Sequence, residues 1–228
     1  MRVILFLIAS AFALGQIEQP RIGVMLDERG DARAVIGVAG SATTSEPLWK
    51  GVQALACSST SCFAKTQFTL LSSVGEMIDT PEGSAILTLE GSSVYAYFAD
   101  AHRLVHWRDG QWEPIEFTPD GEVLDLRVFH GRVEYAARRA DGIWVGDHYA
   151  GDATAVLLVD GGILLAATEQ VRLLRPDGTE TDFPIAGVTS FIRMSDGYVE
   201  LITPSGMWAL RMEPGHEQVF LLPGVSQE

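Results

Sequence analysis

Beyond the first sixteen residues, apolar side chains fall in short runs rich in Val, Ile, Leu, Tyr and Phe, punctuated by turns containing glycine. A 3.6-residue period is nowhere sustained, so the pattern predicts strands rather than helices. Asp-Gly occurs six times, beginning at Asp109, Asp120, Asp141, Asp160, Asp177 and Asp196. That dipeptide suits the positive backbone angles of tight hairpins, and its frequency predicts an antiparallel meander.

The hairpins recur as copies of one another. An apolar strand, a glycine turn and a second apolar strand read AILTLEGSSVYAYF from Ala85, LDLRVFHGRVEYAA from Leu124, AVLLVDGGILLAAT from Ala155 and SFIRMSDGYVELIT from Ser190. Their turn glycines, Gly91, Gly131, Gly161 and Gly197, stand 40, 30 and 36 residues apart. VQALACSSTSCFAK from Val52 matches in outline, with Ser-Ser-Thr-Ser in place of the glycine turn. Two further strands follow most hairpins, as in RLVHWRDG from Arg103 with QWEPIEF from Gln111. The unit from Leu124 is irregular, since GIWVGDHYAGD leaves little room for two outer strands.

Repetition of whole four-strand blocks points to an all-β fold, a small β-propeller of five four-stranded antiparallel blades beginning near residues 51, 83, 122, 152 and 188. A β-sandwich is the competing arrangement. The hairpin IGVMLDERGDARAVIGV from Ile22 precedes the units, and is expected either to complete a terminal blade or to form a sixth, partial one.

Within Arg21 to Ser45, the residues Asp27, Arg33, Ile36, Gly37, Val38, Gly40, Ala42 and Thr43 form a strand ending in Asp, a turn, an Arg and an I-G-V-x-G-x-A-T stretch. This segment resembles the opening of uncharacterised secreted propeller proteins of soil bacteria. The resemblance implies a propeller and no particular activity. The Trp-Asp pair, the Y-W-T-D block and the sialidase box of better-known propellers are absent from the sequence.

Charge narrows the functional classes. Sixteen Lys and Arg against 30 Asp and Glu leave a net −14 on 228 residues, and only Lys50 and Lys65 are lysines. Binding to phosphate backbones needs clustered cations, so nucleic acid is not an expected partner. Residues 1–15 read as a cleaved signal peptide, with Arg2 ahead of a 12-residue apolar run from Val3 to Leu14 and small residues at Ala13 and Gly15. That run is too short to cross a bilayer core of ~30 Å as a helix, and no later stretch is long enough, so no span is expected after cleavage. The remainder, 16–228, is expected to be a single domain in the bacterial periplasm or medium. In that oxidising space the close pair Cys57 and Cys62 is expected to form a disulfide across a hairpin.

Recognisable catalytic machinery is missing: the sequence contains no G-x-S-x-G, Walker A, G-x-G-x-x-G, H-E-x-x-H or EF-hand pattern. Looser constellations remain. Asp147, His148 and Asp152 share one polar loop but supply few of the oxygens a hard cation requires. His102 and His106 sit four apart, short of a zinc ligand set. Trp107, Trp112, Trp144 and Trp208, with Tyr95, Tyr97 and Tyr149, offer aromatic faces that serve either blade packing or ligand contact. Among these, Trp107, Trp144, Asp147, His148 and Tyr149 make the candidate ligand surface. Acid pairs such as Glu113 with Glu116, or Asp125 with Glu134, have the residue type of a glycosidase but no readable separation.

The expectation is therefore a monomeric binding or scaffolding module for a protein, small-molecule or carbohydrate ligand, with no catalytic residue, metal or cofactor assigned. A hydrolase or lyase on sugars or lactones, and a subunit of an envelope assembly, are the alternatives.

Overall fold

The computed structural model describes residues 20–195 and 197–224. The expected signal peptide and Asp196 lie outside the described residues. The first element is a three-stranded antiparallel sheet of β1 (Arg21–Leu26), β2 (Ala32–Val38) and β3 (Ser41–Trp49). Five four-strand meanders follow. They comprise β4 (Ala54–Cys57), β5 (Cys62–Lys65), β6 (Thr69–Ser72) and β7 (Met77–Asp79); β8 (Ala85–Glu90), β9 (Ser93–Phe98), β10 (Arg103–Arg108) and β11 (Gln111–Ile115); and β12 (Glu122–Phe129), β13 (Arg132–Arg139), β14 (Gly142–Val145) and β15 (His148–Gly151). The last two are β16 (Ala155–Val159), β17 (Gly162–Ala166), β18 (Val171–Leu174) and β19 (Glu180–Phe183), then β20 (Ser190–Ser195), β21 (Tyr198–Thr203), β22 (Gly206–Arg211) and β23 (Gln218–Leu221).

The first strands of the meanders, β4, β8, β12, β16 and β20, neighbour one another in a closed circuit, which makes the architecture a β-propeller ring. The ring contains four hydrogen-bonded sheets rather than the five or six separate blades expected. Three have four strands and the other has eight, because β20 and β4 join through a parallel pair, Arg193↔Ala56. Strands at the axis of such a ring run the same way, so where two approach closely enough to bond, the ladder is parallel.

Each junction between meanders has its own apolar filling. Phe63, Leu70, Leu87 and Phe98 join the first and second; Tyr95, Tyr97, Leu104 and Leu126 the second and third; Ile143, Val156 and Leu158 the third and fourth; and Leu164, Leu173, Leu201 and Leu210 the fourth and fifth. Meanders are thus covered on both faces, and this explains why AVLLV in β16 and GILLA in β17 are nearly continuously apolar instead of alternating.

The fifth junction is filled differently. Ile22, Met25 and Val35 of the N-terminal sheet pack on Met194, Met207 and Phe220, while Val24 and Ala32 pack on Leu55, Cys57, Ala64 and Ile192. The hairpin from Ile22 therefore neither completes a terminal blade nor forms a sixth. It gains a third strand and wedges between the last meander and the first. Gly23 permits the fit, since a Cβ there would stand 2.4 Å from the Met194 carbonyl oxygen.

Residues of the N-terminal resemblance have local structural roles. Asp27, 4% exposed, accepts hydrogen bonds from the Arg29 and Asp31 N–H groups and from Arg33 Nε at 2.8 Å. Burial opposes ionisation of this carboxyl, but the Arg33 hydrogen bond and the two backbone donors outweigh it and hold Asp27 below the ordinary carboxylate range.

Two details depart from the sequence reading. Asp120-Gly121 precedes β12 in the link between meanders and is not a hairpin turn, unlike Asp109-Gly110, Asp160-Gly161 and Asp177-Gly178. The irregular third unit does accommodate two outer strands, because β14 and β15 are only four residues each. Cys57 and Cys62 pair directly across the β4–β5 hairpin and form a disulfide.

Candidate functional site

The first hairpin of every meander turns at the same end of the ring, and there the turns enclose a cavity of about 1040 Å³. Its wall is built from residues 56–60, 88–91, 127–130 and 158–160, with Arg193, Ser195 and Tyr198 from the last meander and residues 211–214 from the β22–β23 turn. Short turns place these groups at the axis because the strands behind them are rigidly packed.

A polar clamp crosses the axis. Arg193 on β20 donates from Nη2 to Asp125 Oδ2 at 2.7 Å and from Nη1 to Oδ1 at 3.2 Å. The same Nη2 donates to the Leu158 carbonyl at 2.8 Å, and the Leu158 N–H donates to Asp125 Oδ2 at 2.7 Å. Three inner strands are thereby tied by one bidentate pair whose Asp125 side chain is 5% exposed. Such a fork is geometrically specific, and its Leu158 partners supply the further hydrogen bonds that a buried ion pair requires.

Nearer the mouth, Arg127 donates from Nη1 to the Val159 carbonyl at 2.6 Å and from Nη2 to Glu134 Oε2 at 2.5 Å, with Asp160 Oδ1 at 3.5 Å. Arg211 pairs with Glu213. Glu90 accepts from the Gly131 N–H and from the Tyr95 hydroxyl, linking the second meander to the third. Burial, and next the charge and hydrogen bond of Glu90, push the Tyr95 phenol up, so it remains a donor. Phe129 stands 53% exposed at the rim with His130 against it, ring centroids 4.2 Å apart. The Ser58 hydroxyl accepts from the Thr60 and Ser61 N–H groups, shaping the loop that the disulfide closes.

The five residues of the expected ligand surface do not line this cavity. Trp107 packs edge-on to Trp112 at 5.1 Å between the first two meanders. Trp144 donates to Asp141 and lies beneath the Arg139 guanidinium, 4.7 Å from the ring centroid, with Tyr149 at 5.6 Å. Asp147, His148 and Tyr149 belong to the β14–β15 turn and strand β15 on the outer side of the third meander. Among the described residues, no group of three or more His, Cys, Asp or Glu is placed to hold a metal ion. His102 occupies a turn with φ 47°, whereas His106 stacks on Tyr95 at 4.3 Å, so the two share no site. Asp125 and Glu134 each pair with a different arginine rather than with one another.

Sequence reasoning missed Arg127, Arg193 and Phe129. A signal existed: Arg127 and Arg193 both stand four residues before a turn glycine, Gly131 and Gly197, each with an apolar residue on either side.

No protein-family model matches the chain, and no curated protein is similar to it in sequence. Solved structures are similar in fold. The nidogen/laminin complex contains a chain 11% identical, with a TM-score of 0.58, covering 87% of this chain and 93% of that one. BBS1N, solved with ARL6DN, is 10% identical with a TM-score of 0.50, covering 88% and 80%. PorZ, a surface component of the type-IX secretion system of Porphyromonas gingivalis, is 14% identical with a TM-score of 0.48 over 89% of this chain, which spans 31% of PorZ. At such identities the likeness extends to the fold alone.

Proposed function

We propose that this protein is an exported, monomeric binding module whose ligand enters the axial cavity. The observation carrying this reading is the convergence of turns from all five meanders on one cavity of about 1040 Å³, at the upper end of volumes that hold small molecules. Every arginine in its wall is already engaged by a carboxylate, an arrangement that offers a polar ligand donors and acceptors side by side. Export is supported by the N-terminal pattern of charge, apolar run and small residues, and by the disulfide. The resemblance of the opening from Arg21 to Ser45 to that of uncharacterised secreted bacterial propellers supports the same reading.

A fragment screen followed by amide chemical shifts tests the site. Perturbations are expected at residues 58–60, 89–91 and 129–130. Clustering instead at Trp144 and Tyr149 refutes the axial reading in favour of the outer aromatic surface. The N-terminus of the exported protein is expected at Gln16, and retention of Met1 on the exported form overturns the cleavage proposal.

A further inference from the structure

We infer that the axial cavity takes a neutral, polyhydroxylated ligand, a short oligosaccharide carrying no ionised group; this rests on the axial reading above. The first argument is charge. Arg193 is matched by Asp125, Arg127 by Glu134 and Asp160, and Arg211 by Glu213. An anionic ligand has to displace one of those carboxylates, in a protein whose net charge of −14 already repels it at long range. A cationic ligand is drawn in by the net charge, but inside it meets three guanidinium groups whose carboxylates are already paired, while Glu90, which lines the cavity outside these pairs, already accepts from the Tyr95 hydroxyl and the Gly131 N–H. A hydroxyl group suffers neither penalty, since it accepts from a guanidinium and donates to the neighbouring carboxylate without breaking the pair.

The second argument is the chemistry of the rim. Thr60, exposed in the β4–β5 turn, and the half-buried Ser58 and Tyr198 line the cavity from the first and last meanders. Phe129, exposed at 53% although its neighbour Val128 is buried, offers an aromatic face at the entrance. Hydroxyl-bearing residues in the wall and an aromatic ring at the entrance match the two surfaces of a pyranose, whose C–H groups pack on an aromatic side chain. The third argument is size: about 1040 Å³ exceeds what a single sugar fills and admits a short chain.

The test is a titration of the full exported protein, followed by amide chemical shifts and calorimetry. The neutral probes are maltotriose, cellotriose, mannotriose and tri-N-acetylchitotriose; trigalacturonate is the anionic probe and fully deacetylated chitotriose the cationic one. At least one neutral trisaccharide is expected to perturb residues 58–60 and 129–130 and to bind at least ten-fold more tightly than either charged probe. Phe129→Ala, at an exposed position, is expected to weaken that binding at least ten-fold with an unchanged thermal midpoint. Tighter binding of a charged probe, or failure of all four neutral probes while other fragments occupy the cavity, overturns the inference and leaves the axial reading standing. If nothing perturbs the cavity, both fall.

Discussion

Replacing Glu200 by Gln should remove a pH dependence of stability that the fold builds into the seam between the N-terminal sheet and the ring. Glu200 on β21 is fully buried and accepts one hydrogen bond, from the Leu26 N–H of β1 at 2.9 Å, while its Oε1 has no partner. Burial raises its pKa from 4.5 to about 8, the Leu26 N–H opposing the rise and the Asp27 charge adding to it. A carboxyl with a raised folded-state pKa contributes stability that is fully present below about pH 4.5 and is lost as pH climbs toward 8. Between pH 5 and pH 8 the loss integrates to about 3.5 kcal/mol, approaching 1.4 kcal/mol per pH unit. Gln keeps the acceptor for Leu26 and cannot ionise. Urea unfolding of both proteins at pH 5, 6, 7 and 8 should therefore show the wild-type free energy falling relative to the variant by about that amount, other titrating groups cancelling in the difference. Parallel profiles would mean that the native carboxylate is solvated or paired, and would refute the burial argument.

Three further outcomes are open to measurement. Asp125→Ala should cost about 3–5 kcal/mol in urea unfolding, because it strands the Arg193 guanidinium and the Leu158 N–H; a loss below about 1 kcal/mol would show the clamp to be solvent-screened. Replacing both Cys57 and Cys62 by Ser should cost about 2 kcal/mol, the loop-closure entropy of a six-residue ring, and an unchanged midpoint would contradict a formed disulfide. Gly23→Ala should cost about 1–3 kcal/mol through overpacking against the Met194 carbonyl, with limited proteolysis cutting between the N-terminal sheet and β4; full protease resistance would count against the close approach.

The strands, their antiparallel order and the disulfide were legible because each is encoded locally. A short run of β-branched and aromatic residues, a turn glycine or a pair of cysteines across a hairpin can be read within a dozen residues. Ring closure was not legible in this way. Whether β20 bonds to β4 depends on residues over 130 positions apart, Arg193 and Ala56, and nothing in either segment announces the other. The same holds for the site. Asp125 was visible as one acidic residue among 30, and its partner Arg193 lies 68 residues away. Large aromatic residues suit ligand faces and packing equally, and Trp107 is used to pack the first meander against the second. Phe129 reads in the sequence as one more apolar residue at the end of a strand, although its place at the edge of the β12–β13 turn exposes it.

Closure and site are coupled through one strand. On β20, Ile192 and Met194 face the N-terminal sheet and the first meander, whereas Arg193, pointing the other way by strand alternation, reaches the axis and Asp125. The Ser195 hydroxyl adds a hydrogen bond to the Ile22 carbonyl of β1 at 2.9 Å and lies in the cavity wall. A shift of the N-terminal sheet away from β20 thus cannot leave the floor of the cavity untouched, because packed strands transmit displacement rather than absorb it. The seam that relies on a wedge and a single parallel bridge, instead of a shared blade, is also the seam that carries Glu200. The pH response of that carboxyl is consequently expected to reach the axial clamp as well as global stability.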